Sequence, residues 1–412
     1  MPTGALAGAN IEHAGAHNQR VILQAIRVYG PVTKAELARL TGLTHPTVTN
    51  ITNRLLALDL LRGAGQRRGG RGQPATRLIV NPNGAYSIGI NIDRDHITMV
   101  VVDFGGEVRA QATLEVAFPL PDQVQAFYRR ELDRLLADAG VASDAIVGIG
   151  VALPDGLGEI ALPGRPAAYA QWTTTRVATL FEAPLPVPVH VENDAAAAAI
   201  GEMQFGLGQR LSSFFYILIT FALGGGLVVH SLYDRGADGR SGEIGFLMVD
   251  DGGGEPAQLQ SIVSLAGLSR RLAAAGAEHA SARSPDLSDP VVRGVVDEWI
   301  EASARALVQP LIAINCLINP EAVLIGGRAP RTIIEAIAKR ANALLRMQGR
   351  NAPTLAPVGV AALAEDASAV GAALLSFADL LTPQDRGSER PNFRTAGVVP
   401  HQPTGAALSV GR

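Results

Sequence analysis

"TGLTHPTVTN", residues 41–50, interrupts a hydrophobic chain with a run of small hydrogen-bonding side chains. Gly42 is suited to end a preceding helix, because glycine reaches the left-handed conformation at a helix C-terminus without steric cost. Thr44 can cap a new helix, and Pro46 is tolerated in its first turn. In that helix Val48, Ile51 and Leu55 share one face, ready to pack. The opposite face carries His45, Thr47, Thr49, Asn50, Asn53 and Arg54. Short donors and acceptors of this kind suit phosphates and base edges rather than a core.

The flanking segments fit that use. "NQRVILQAIRVY", residues 18–29, repeats Val21, Ile22, Ala25, Ile26 and Val28 at helical spacing, and Gly30 and Pro31 end it. Thr33 and Glu36 form a capping box ahead of "KAELARL", which starts a second, short helix near Lys34. Helix, tight turn and polar-faced helix make a helix-turn-helix, whose second helix enters a DNA major groove. An ordinary three-helix packing unit would satisfy the same spacing. Downstream, "LDLLRGAG" and "ATRLIVNP" read as two strands around "QRRGGRGQP". The loop sets Arg67, Arg68 and Arg71 among glycines, as the wing of a winged helix would for a minor groove. It partly matches an AT-hook, Gln73 standing between the last glycine and Pro74, and it would also serve as a plain linker.

Charge placement separates this head from the rest. Residues 17–80 hold ten Lys or Arg against Glu36 and Asp59, about +8, within a chain of net charge −3. The remainder therefore carries about −11. A basic module on an acidic body points to nucleic acid as partner. Cys316 stands alone among 412 residues, which excludes a disulfide framework and a zinc site built on several thiolates. No leader pattern opens the chain, and no apolar run reaches the ~20 residues of a membrane span. The expectation is a soluble, cytoplasmic protein with no membrane partner.

After Pro82 the pattern becomes strand, strand, strand, helix, strand, and then a similar order again. "YSIGINID", "HITMVVVD" and "GEVRAQATLEV" precede the amphipathic "QVQAFYRRELDRLLADAG" and the buried "IVGIGVA". A second meander opens at "FFYILITFALGGGLVVHSLYD", and "AVLIGG" is a later buried strand. This order implies an α/β body of two related halves with a cleft between them. The organisation expected is a flexible tail (1–16), a winged helix-turn-helix (17–82), a first lobe (83–200), a second lobe (201–382) and a disordered tail (383–412).

"VENDAAAAAIGE", "RGADGRSGEIGF" and "INPEAVLIGG", in that order, resemble the ROK family (repressors, open reading frames and kinases). The leading helix-turn-helix and "GGRGQP" are similar to the DNA-binding head of its repressor branch. The resemblance implies a two-lobed actin-like, ribonuclease-H-like ATPase fold, a sugar pocket in the cleft, and a homodimer or homotetramer. It assigns sugar hydroxyls to Asn193, Asp194 and Glu243, and in the family's kinases the residue matching Asp194 is the general base. Asp194 would alternatively cap the alanine-rich helix, and Glu243 would alternatively be a solvent-exposed loop acid.

Three departures from the family pattern count against catalysis. Where its kinases have an acid followed by Gly-Gly-Thr, this chain has Asn91, Asp93, Arg94 and Asp95. Carboxylates there would repel phosphate, and the glycine backbone donors are missing. In the second phosphate loop Phe221 and Ala222 replace small residues, although Gly224, Gly225 and Gly226 remain. The family's structural zinc needs a histidine after "GEIG" and three cysteines. Phe246 holds the histidine position, and no acid stands in "AQLQSIVSLAGL", where the family has a further sugar contact. The expectation is therefore a transcriptional regulator, most simply a repressor, of double-stranded DNA, responding to a sugar or sugar-phosphate effector. It has no catalytic residues, no cofactor and no metal. The alternative is an active sugar kinase with an accessory DNA-binding head.

Overall fold

The computed structural model describes residues 11–67, 75–160, 164–237, 239–250, 256–348, 355–363 and 366–380. The head is built from α1 (Ile11–Tyr29), α2 (Lys34–Thr41), α3 (His45–Ala57), β1 (Leu61–Arg67) and β2 (Ala75–Val80). The expected caps are present. Thr33 and Glu36 close a reciprocal capping box on α2, and Gly42 (φ 70°) ends it with its N–H on Ala38 O. Thr44 caps α3, with Pro46 in the first turn. β1 and β2 pair antiparallel, and Val32 adds a one-residue bridge to Leu78.

Two local expectations are corrected. α1 starts at Ile11, inside the stretch expected as a tail; it contains no proline, and Ala14 and Ala16 favour helix. On α3, Thr52 is fully buried and Ile51 only half-buried. The Thr52 hydroxyl donates to Val48 O at 2.8 Å, which satisfies its one polar group inside the core.

The body repeats one sheet topology twice. β3 (Tyr86–Ile92), β4 (His96–Asp103) and β5 (Val108–Glu115) form an antiparallel meander, followed by α4 (Pro121–Ala139). β6 (Ile146–Leu153) and β7 (Val189–Asn193) then add in parallel, giving the order β5-β4-β3-β6-β7. α5 (Asp194–Phe205) leads to β8 (Phe214–Ile219), β9 (Leu223–Val229) and β10 (Leu232–Asp234). A ribbon of β11 (Met248–Asp250) and β12 (Pro256–Gln258) precedes α6 (Leu259–Ile262), α7 (Leu265–Ala274) and α8 (Pro290–Leu317). β13 (Ala322–Gly327), α9 (Arg331–Gln348), β14 (Val358–Val360) and α10 (Ala367–Leu380) complete the chain described. The second sheet runs β10-β9-β8-β13-β14, the same order with the same antiparallel and parallel pairs. The winged head and the two-lobed α/β body are thus the architecture expected.

Helix α5 lies on the second sheet, where Ala195, Ala198 and Ala199 meet Tyr216, Leu218 and Val228. Helix α10 lies on the first, where Ala369, Val370 and Ala373 meet Val100 and Val102. The two helices pack on each other and so join the lobes. Glycine is required at this seam. A Cβ on Gly371 would stand 1.7 Å from Ala197 O, and one on Gly150 would stand 1.8 Å from Ala372 O. The boundary expected at residues 200/201 therefore cuts α5, and α10 packs with the first lobe rather than the second. Hydrophobic period alone does not say which sheet a helix covers. The expected tail 383–412 lies outside the described residues. No described helix is long and apolar enough to cross a membrane.

Candidate functional site

Thr44, His45, Asn50 and Asn53 are exposed along α3, while Thr47, Thr49 and Arg54 are half-buried. The Thr44 and Thr47 hydroxyls stand 2.9 Å apart, and the Thr44 oxygen also accepts from Thr47 N in the cap. Lys34 Nζ donates to Asn53 Oδ1 at 2.7 Å, tying α2 to the outer face of α3. Arg67 ends β1; its side chain, and Arg68 and Arg71 entirely, lie outside the described residues. Two of the counted arginines make contacts within the protein. Arg77 donates to Pro31 O at 3.1 and 2.7 Å. Arg27 is half-buried against the body, and desolvation holds its pKa down to about 10.

In the cleft, β7 delivers Asn193 and Asp194 to the start of α5. Asn193 is the cap: its Oδ1 accepts from Ala195 N at 2.9 Å and Ala196 N at 3.0 Å. The capping role considered for Asp194 thus belongs to its neighbour. Asp194 is the first helical residue, and its Oδ1 accepts from Ala195 N at 2.8 Å. Burial, and after it the charge of Asp93, push Asp194 up to about 7. Glu243 opens a 3-10 turn at Ile244–Phe246 and is half-buried. Its pKa is also raised, by burial first, then by the charge of Asp155, which hydrogen-bonds it.

Asp155 escaped the sequence reading. It follows β6, a parallel strand of the first sheet, and carboxyl ends of parallel strands are where α/β sheets hold ligands. "PDG" at that position was the available signal. Arg94 reaches the same place, its charge acting on Asp93, Asp194 and Glu243. Asn193, Asp194, Asp155 and Glu243 thus gather at one cleft, a set able to accept hydrogen bonds from a polyol.

The phosphate side is filled from within. Asp93 is fully buried, and its Oδ1 takes the Arg94 N–H at 2.7 Å, a donor that a phosphate loop would offer to its ligand. Burial opposes charging Asp93, but Arg94 and His96 nearby carry its pKa below the usual carboxylate range. His96 Nδ1 stands 2.6 Å from Asp95 Oδ1, and its Nε2 3.0 Å from Asn91 Nδ2. From the second lobe, Arg328, almost fully buried, donates to Glu115 at 2.7 Å and lies 3.6 Å from Asp95. Arg283 also pairs with Glu115. Phe221 meets Phe118 edge-on, with ring centres 6.1 Å apart. Ion pairs and rings from both lobes thus occupy the region expected to be merely unsuited to phosphate. Gly224–Gly226 are not a loop remnant. They lie within β9, where Cβ atoms on Gly224 and Gly226 would crowd Ala195 and Ala199 at 2.8 and 2.6 Å.

Asp93, Asp95 and His96 are the one set of three potential metal ligands gathered among the described residues. Arg94 and Arg328 already balance their charge, so the cluster does not call for a cation. The zinc segment of the resemblance also fails on its residues. Phe246 is exposed, and Leu259, Ile262 and Val263 are buried core.

The chain matches the ROK family over residues 87–378. It belongs to that family. Residues 17–72 match the MarR family, a second, independent match on the head. An uncharacterized protein, y4fQ, of Sinorhizobium fredii is 29% identical over 87% of this chain and 90% of its own. The xylose repressor of Bacillus spizizenii is 26% identical over 57% of this chain and 61% of its own. A crystal structure of a ROK family transcriptional regulator, a homolog of the Escherichia coli MLC protein, superposes with a TM-score of 0.63. It is 21% identical and covers 89% of this chain and 96% of its own.

Proposed function

We propose that this ROK protein is a DNA-binding transcriptional repressor whose body binds a sugar or sugar derivative and transfers no phosphate. Two copies present their α3 helices to a palindromic operator. The effector sits against Asn193, Asp194, Asp155 and Glu243 and changes how the heads are held. The observation that carries this is the asymmetry of the cleft. Its sugar side keeps the carboxylates and amide, whereas Asp93, Arg94, Arg328 and Phe221 fill its phosphate side. Phosphoryl transfer rests on positioning and charge neutralisation at the phosphates, so a blocked cradle stops turnover. A repressor needs only unequal effector affinity for two conformations. The xylose repressor among the relatives supports a sugar as effector.

One observation favours the kinase alternative: Asp194 at about 7 is suitably poised for a general base. The two are separated by incubating the protein with ATP and a panel of aldopentoses, aldohexoses and N-acetylhexosamines. A rise in melting temperature with one sugar, without ATP consumption, is expected. Sugar-dependent ATP consumption that Asp194→Ala abolishes would establish the kinase instead.

A further inference from the structure

The head does not hang from a loose linker. Its core runs into the body: Ile22, Leu23 and Ile26 of α1 share one apolar cluster with Phe104, Leu374 and Phe377. Phe104 and Phe377 meet edge-on at 5.2 Å. Phe104 follows β4, and Leu374 and Phe377 stand on α10, so these contacts seat the head on the first lobe.

Arg27 makes a different connection. Its Nη2 donates to Phe104 O at 3.3 Å, on the first lobe. Its Nη1 donates to Gln204 Oε1 at 3.3 Å, at the end of α5, and its guanidinium stands 4.5 Å from the Phe205 ring centre. Helix α5 packs on the second sheet, so one half-buried side chain of the head touches both lobes. The same helix begins at Asn193 and Asp194. Its 12 residues span roughly 18 Å, from the candidate effector site to Arg27.

Helix α5 runs unbroken from the cleft to Arg27. Asp194–Glu202 are buried throughout, and the interior is alanine with Ile200 and Gly201. Glu202 anchors the distal end: its carboxylate accepts from Leu207 N, Ala362 N and Leu363 N at 2.8, 2.8 and 3.0 Å. Against α10 it presents small residues, with Ala197 O beside Gly371 and Gly201 beside Gly371 Cα. Closely packed smooth helices slide without side chains having to disengage, which is how shear motions are accommodated.

We propose that Arg27 is the coupling residue between cleft and DNA: bridging α5 and the end of β4, it converts a shift of α5 against the first lobe into a new seating of the head. This rests on the effector reading of the cleft given above. Arg27 is a positioning residue, absent from the outer face of α3. A ligand drawing on Asp194 displaces the near end of α5, and the far end carries Gln204 and Phe205 with it. The head, held to the first lobe by Phe104 and Phe377, then tilts about that seat.

The test uses the full chain, a duplex selected by it from a random pool, and Arg27→Met, which keeps an apolar stem. Phe205→Leu is the second variant, should Arg27→Met fold poorly. Asp194→Asn supplies a cleft perturbation that needs no ligand. Amide hydrogen exchange is followed along α1 and α3, with α8 as a distant control. Asp194→Asn is expected to change protection in α1 when Arg27 is present and to leave it unchanged in the Arg27→Met or Phe205→Leu background. With xylose, glucose or N-acetylglucosamine as probe, whichever raises the melting temperature, a sugar effect on DNA affinity of about 5- to 150-fold should collapse toward unity in both variants. Sugar affinity itself should stay unchanged in them. An exchange response that persists in both variants, or never reaches α1, overturns the proposal. Should none of the three sugars shift the melting temperature, the effector reading loses its support for these probes while the exchange arm still decides the coupling.

Discussion

Replacing Asp194 by Asn should make the protein's stability less sensitive to pH, and the structure gives the size and sign. Burial, assisted by the charges of Asp93 and Asp155, lifts this carboxyl from 3.8 to about 7 in the folded state. Between about pH 4 and pH 7 the native chain therefore holds a proton that the unfolded chain has released. The unfolded state binds fewer protons there, so stability falls as pH rises through that window and levels off above it. Three units at about 1.4 kcal/mol each set a ceiling of about 4 kcal/mol. Asn keeps the shape and an oxygen for the Ala195 N–H but has no charge to bury. The variant should match the wild type near pH 4 and exceed it near pH 8. With an unfolding entropy of roughly 2 cal/mol/K per residue over the chain, the thermal midpoints would then differ by about 5 °C at the ceiling. Differential scanning fluorimetry of both chains across that range is the assay. A midpoint difference that stays constant with pH would refute the burial of a protonated carboxyl at this site.

Further outcomes concern the head and the seam. DNA affinity should fall steeply with salt; six to ten phosphate contacts correspond to about 10³–10⁵ between 50 and 200 mM. The contacts of Arg27 with the body favour the shallow end, and fluorescence anisotropy against salt reads the slope. Asn50→Ala should lower discrimination between selected and random duplexes by about 1–3 kcal/mol; an unchanged specificity ratio would move the recognition face elsewhere. Gly371→Ala should destabilise the chain by about 1–3 kcal/mol, the usual range for overpacking, because its Cβ would meet Ala197 O. An unshifted urea midpoint would contradict the close approach of α5 and α10.

What the sequence made legible was local. The Thr33–Glu36 capping box, the Thr44 cap and the Gly42 stop are decided within a few residues, so they read correctly before any tertiary contact is known. The repeated meanders are likewise carried by period-two patterns and buried runs. Asn193 and Asp194 at the mouth of α5 were singled out by the resemblance of "VENDAAAAAIGE" to the ROK family, and polar residues ahead of an alanine run mark a helix cap.

The rest depends on partners distant in the chain. Arg27 counts as a DNA-facing base until Phe104, Gln204 and Phe205 are seen around it. Gly224–Gly226 read as a loop, yet their small size answers to Ala195 and Ala199. Asp155 carried a weak signal, a Pro-Asp-Gly turn, whose meaning required β6 to be placed inside the parallel part of its sheet. Arg328 gave none, because its partners Asp95 and Glu115 are more than two hundred residues earlier.

The most direct measurement is the affinity of the full chain for its selected duplex, with and without each sugar of the panel, in the wild type and in Asp194→Ala. One sugar should shift the wild-type affinity by about 5- to 150-fold, and the same sugar should have no effect in Asp194→Ala. An undiminished sugar response in Asp194→Ala, or a wild type that no sugar affects, would contradict a cleft that controls DNA binding through Asp194.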